Sequence, residues 1–145
     1  MIHIAIMKKS WELLPKILSG EKTVESRFYK TRRTPWGKIF PGDTIYFKNS
    51  GEPVTVKAVV GKVEQINIDS DIRRNDIPKE VCAPEGFANL IKDKKYCLLI
   101  YLKNPEKIKP FEINKKGFGA MSAWITLPSR RLFRFLLSPR KIQGV

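Results

Sequence analysis

Lys22, Glu25 and Arg27 fall in one short segment, Gly20-Glu21-Lys22-Thr23-Val24-Glu25-Ser26-Arg27, and are the side chains of this sequence best suited to chemistry. A carboxylate can take a proton while a neighbouring ammonium or guanidinium stabilises a developing oxyanion or phosphorane. A Lys22–Glu25 pair could therefore run general acid–base catalysis without a metal. The same cations could instead hold the phosphates or a base of a nucleic acid. In an extended segment Glu25 and Arg27 share a parity and project to one face, where they could also form a structural ion pair. Lys22 has the other parity and reaches that face only because it sits at a junction. Taken alone it reads as a surface lysine at a helix C-terminus, where the dipole favours a cation. Gly20 reads as a helix stop and Asp43 as a turn former.

Other site chemistries lack their parts. Cys82 and Cys97 have no second pair and no nearby histidine, and His3 is the only histidine. No metal and no cofactor is expected. Nucleophilic catalysis through histidine would have to use His3, in an apolar strand-like run where a packed or capped ring is the plainer reading.

The charge balance points to the partner. Lys and Arg number 28 against 14 Asp and Glu, a formal net charge of +14, with a pI ≈ 10.0. Such a field favours RNA or another polyanion and keeps copies of the chain apart, so a monomer is expected. From Ser26 to Gly42 there is no acid, while Arg27, Lys30, Arg32, Arg33 and Lys38 are basic; after Glu112 the chain carries Lys115, Lys116, Arg130, Arg131, Arg134, Arg140 and Lys141 and no carboxylate. Interleaved aromatics supply what unpaired bases stack on: Tyr29, expected exposed, and Trp36, in a loop beside a proline and a glycine. The candidate nucleic-acid contacts are thus Lys22, Arg27, Tyr29, Arg32, Arg33, Trp36, Lys115 and Lys116. Phe28, Trp11 and Trp124 are assigned to the core. The apolar N-terminal run is too short to span a bilayer or act as a secretory signal, so no membrane association and a cytoplasmic location are expected.

The elements that must position these groups follow from periodicity. With 42% hydrophobic and 29% charged residues, one globular core is expected. Ile2, Ile4 and Ile6 alternate as a strand. Ser10 is a candidate N-cap for a helix carrying Trp11, Leu14, Ile17 and Leu18 to Gly20, although Pro15 favours a start nearer Leu13. Strands are expected at Lys22–Tyr29, Thr44–Lys48, Val54–Ile68 with a bulge at Gly61, and Tyr96–Leu102, a buried central strand. Shorter ones fall at Phe111–Ile113 and Ala123–Leu127. The polar stretch Asp69–Asp93 is an insertion holding a helix with Phe87, Leu90 and Ile91. The fold class is α+β, a mixed barrel of about six strands with two or three helices. The chain divides into a domain over 1–128 and a basic C-terminal segment over 129–145 that could dock as a short helix.

Gly20-x-Lys22-x-x-Glu25-x-Arg27 matches the G-x-K-x-x-E-x-R signature of ASCH domains, and the surrounding order also fits: a strand and a helix before it, Pro41-Gly42-Asp43 and a strand after it. The chain therefore resembles an ASCH domain of the PUA-like superfamily. The resemblance implies a PUA-like β-barrel with a cleft lined by the signature residues, and a role in binding RNA. It also implies a second class of function, since some ASCH proteins look like amidohydrolases of acetylated cytidine and others like ribonucleases. In the amidohydrolase group a threonine stands three positions after the signature lysine; here that position is Glu25, which removes the hydroxyl nucleophile. A third class is a protein-interaction domain docking an acidic partner on the C-terminal segment. It would lose function when residues 130–145 are deleted and keep it on Lys22→Ala.

Overall fold

The computed structural model describes residues 1–68, 77–115 and 122–137. In chain order these form β1 (Ile2–Met7), α1 (Leu13–Ser19), β2 (Val24–Tyr29), β3 (Thr44–Asn49), β4 (Val54–Asn67), α2 (Phe87–Ile91), β5 (Tyr96–Phe111), β6 (Trp124–Leu127) and α3 (Arg130–Leu136). The six strands make one sheet in the order β2-β5-β4-β3-β1-β6. β1 and β3 run parallel and every other pair is antiparallel. The α+β class and the six-stranded, curled half-barrel agree with the sequence reading.

Curvature comes from β4. Its pairing with β5 shifts register three times, once between Val60 and Lys62, across Gly61. Each shift adds one or two residues to one strand and bends it. A Cβ on Gly61 would meet the exposed, flexible Lys103 side chain at 3.0 Å. The curl lets strand alternation fill two sides. Inside, Ala5, Ile45, Phe47, Val56, Ala58, Leu98 and Ile100 pack with Leu13, Leu14 and Ile17 of α1. Outside, Ile4, Ile125 and Leu127 are covered by Leu136 of α3, while Val24, Cys97 and Leu99 are covered by Val81 of the insertion.

Local departures from the expected elements have identifiable causes. α1 starts at Leu13, which leaves Pro15 in its first turn, where no N–H is missed. Ser10 lies instead in a 3-10 turn, Lys9–Trp11, and caps nothing. Gly20 ends α1 at φ 85°, in the left-handed region, and its N–H returns to the Ile17 carbonyl. β2 begins at Val24 rather than Lys22. β5 runs on to Phe111, so the separate strand expected there is its end; Ile113 makes a single bridge to Leu137. Among the described residues no helix is long and apolar enough to cross a membrane.

Candidate functional site

β2 and β6 are the two free margins of the curled sheet, and Arg27 spans the seam between them. Its guanidinium donates to the Ala123 carbonyl (3.3 Å), next to β6, and to the Ile6 carbonyl of β1 (3.3 Å). It also lies 5.0 Å from the Trp124 ring. A side chain, rather than a ladder of backbone bonds, closes the half-barrel here, and the parity argument that aims Glu25 and Arg27 at one face holds.

Glu25 anchors that clasp. Its Oε2 accepts from Arg27 at 2.9 and 3.1 Å. Its Oε1 faces Lys22 Nζ at 3.1 Å and accepts the Ser26 N–H. Burial works to raise the Glu25 pKa, but the charges of Lys22 and Arg27 and their hydrogen bonds outweigh it and hold the carboxyl below the usual range.

Lys22 is not on the surface. Its side chain is 1% exposed, and its ammonium also donates to the Val24 carbonyl (2.9 Å) and the Val81 carbonyl (2.6 Å). Its three donors are thereby matched to three acceptors. The long stem, folded back from the α1–β2 junction, overcomes the unfavourable parity. Through Val81, and through the Thr23 N–H donating to the Glu80 carbonyl at 3.2 Å, the signature holds the insertion in place.

These residues floor a cleft of about 620 Å³. One wall is Ile6, Met7 and Trp11; the other is the insertion, with Pro84, Phe87, Leu90 and Ile91; and Lys8, Lys94 and Lys115 also line it. Glu25 is the sole carboxylate among the described lining residues. Trp11, assigned to the core from sequence, is a half-buried wall residue with Lys8 Nζ 5.4 Å from its ring. Trp124 is core as expected, 5% exposed.

The remaining candidates form a second group outside this cleft. Tyr29 is half-buried rather than exposed, under the Arg33 guanidinium at 5.9 Å. Trp36 meets Tyr96 edge-on at 5.4 Å. Arg32 lies 5.5 Å from the Trp36 ring and 5.3 Å from Tyr96. The Gly37 N–H donates to Gln65, which ties this loop to β4. Lys22, Glu25, Arg27 and Lys115 are thus brought together, whereas Tyr29, Arg32, Arg33 and Trp36 make cation–aromatic contacts at the end of β2 and in the loop after it. Lys116 lies outside the described residues.

A polar group that the sequence reading left unconnected is His3 with Asp43. The buried ring is 2.9 Å from Asp43 Oδ2 through Nε2. Its Nδ1 receives the Trp124 indole N–H (3.2 Å) and lies 3.0 Å from Thr126 Oγ1. An indole only donates, so Nδ1 is the acceptor and Nε2 carries the proton. Asp43 also binds the Met1 amino group (2.9 Å) and the Phe40 N–H (2.9 Å). Burial lowers the His3 pKa against the pull of Asp43. On Asp43, burial is outweighed by these hydrogen bonds, and its pKa is lowered. The group ties β1, the turn before β3, and β6 together.

The folding pattern has close counterparts. The chain is similar to the crystal structure of the ASCH protein of Zymomonas mobilis, with a TM-score of 0.67 at 18% identity over 94% of this chain and 96% of that one. It is equally similar to a tyrosine-to-phenylalanine variant of that protein, at 17% identity, over 94% and 99% of the two chains. The chain shares the fold of that ASCH protein. No family model matches the sequence, and no curated protein does.

Proposed function

We propose that the cleft at the β2–β6 seam binds single-stranded RNA, taking one unpaired nucleotide between the apolar walls while cations at the rim hold the flanking phosphates. The observation that carries this reading is the composition of the cleft. It is apolar along both walls, lined by Lys8, Lys94 and Lys115, and the one carboxylate among its described lining residues is neutralised by two cations. That combination suits a planar, weakly polar base on a polyanionic backbone. The Arg32–Trp36–Tyr96 and Arg33–Tyr29 contacts would extend the path of the strand beyond the cleft.

The hydrolase alternative, with Glu25 as base and Lys22 as the stabilising cation, gains no support from the geometry. Both oxygens of Glu25 are occupied, its pKa is lowered rather than raised toward neutrality, and the Lys22 donors are committed to protein acceptors. In this reading the signature is the scaffold of the cleft and the rim is its contact surface.

Titration of labelled single-stranded and hairpin RNA at two salt concentrations tests the proposal. Binding that prefers the single strand and weakens steeply with salt is expected. No binding even at low salt would refute it.

A further inference from the structure

The margin of β2 away from β5 carries a short row of backbone groups that no described residue absorbs. The Leu102 N–H donates to the Thr23 carbonyl and the Lys95 N–H to the Tyr29 carbonyl. With Glu25 opposite Ile100 and Arg27 opposite Leu98, the odd-numbered residues of β2 therefore turn their backbone groups toward β5. The even-numbered residues turn theirs outward. Two outward groups are already used: the Val24 carbonyl by Lys22, and the Ser26 N–H by the Glu25 side chain. Of the rest, three belong to residues that line the cleft: the Ser26 carbonyl, the Phe28 N–H and the Phe28 carbonyl. Among the described residues none of the three has a hydrogen-bond partner.

Resting on the proposed RNA-binding role of the cleft, we infer that this acceptor–donor–acceptor row at Ser26 and Phe28 reads the Watson–Crick edge of the bound base and selects adenine. A donor stands at the centre of the row, so the base must present a bare ring nitrogen there. Adenine N1 and cytosine N3 do so, with an exocyclic amine beside them to donate to the Ser26 carbonyl. Guanine N1–H and uracil N3–H would set donor against donor. Cytosine would further set its O2 against the Phe28 carbonyl, where adenine presents only a C–H, so adenine ranks first. The row is three groups long, enough for one base edge and too short for an added peptide strand. The cationic lining complements phosphate rather than a neutral peptide.

The test is the affinity of the whole chain for an oligouridine and for the same oligomer carrying one central adenosine, cytidine or guanosine. Adenosine should tighten binding at least about tenfold over uridine, with cytidine between them and guanosine no better than uridine. Replacing that adenosine by 1-deazaadenosine, which lacks the acceptor, should abolish the gain without altering the protein. Phe28→Pro removes the central N–H from a free edge, where proline is tolerated. It should level the four affinities while leaving the salt dependence unchanged, and Phe28→Leu should keep the preference. Binding with no adenosine preference, or a preference that survives 1-deazaadenosine, overturns this inference alone. Absence of all binding overturns it together with the RNA-binding proposal.

Discussion

Replacing Glu25 by glutamine keeps the shape of the side chain and removes its charge, leaving the Lys22 ammonium and the Arg27 guanidinium facing each other across an uncharged amide. Lys22 is 1% exposed and Arg27 14%, so water screens neither fully. Removing one partner of a buried pair costs about 3–5 kcal/mol. The lower end applies here, because Lys22 keeps two carbonyls and Arg27 keeps Ile6 and Ala123. For a domain of this size about 3 kcal/mol corresponds to a fall in Tm of roughly 10 °C. An exposed pair would give about 0–1 kcal/mol. The assay is thermal unfolding of wild type and Glu25→Gln followed by circular dichroism across a pH series. The folded-state pKa of Glu25 is depressed, so its contribution is present above the unfolded value of about 4.3 and is lost as pH falls through the folded value. The gap between wild type and variant should therefore be widest near neutrality and narrow on acidification. A gap below about 3 °C at neutral pH, or one that does not narrow in acid, would refute the clasp.

Other consequences follow from the same structure. His3 is neutral in the fold and its pKa is lowered, so the unfolded chain binds the extra proton first; stability should decline as pH drops below about 6.5, and His3→Phe should remove that part of the slope in a urea-denaturation series. Burial pushes the Cys97 thiol up to about 12, so iodoacetamide should alkylate half-buried Cys82 in the native protein and reach Cys97 only after unfolding, as read by mass spectrometry. Gly20→Ala forces a side chain into the left-handed region at φ 85°, and equilibrium unfolding should show a loss of about 1 kcal/mol. Lys115→Ala, at the cleft rim, should reduce the slope of log affinity against log salt for RNA by about 0.7.

The sheet was legible in the sequence because strand alternation and turn residues are local signals: β1, β3, β4 with its Gly61 bulge, and the buried start of β5 all follow from spacing. The start of α1 was legible through Pro15, whose ring sets where a helix can begin, and misleading through Ser10, whose capping chemistry serves a different turn. The signature was legible as a motif and its Glu25–Arg27 pairing as parity. The burial of Lys22 was not, because its decisive partner is the Val81 carbonyl, supplied by a segment fifty-nine residues away. A lysine is rarely placed inside unless such acceptors are known. For the same reason His3 and Asp43 read separately as a packed ring and a turn residue. Their hydrogen bond depends on the parallel pairing of β1 with β3, which sets Ile2 opposite Thr44 and His3 opposite Ile45. The grouping of Tyr29 and Trp36 away from the cleft depends on the fold of the loop after β2, for which composition gave only a basic, aromatic stretch.

The most direct measurement for the central claim is a titration of isotopically labelled protein with a short single-stranded RNA, followed by backbone amide NMR at low salt. If the β2–β6 cleft is the binding site, the largest shifts will fall on Ser26, Arg27 and Phe28, on the insertion wall around Phe87 to Ile91, and near Lys115. Shifts confined to α3, or no shifts at all, would contradict it.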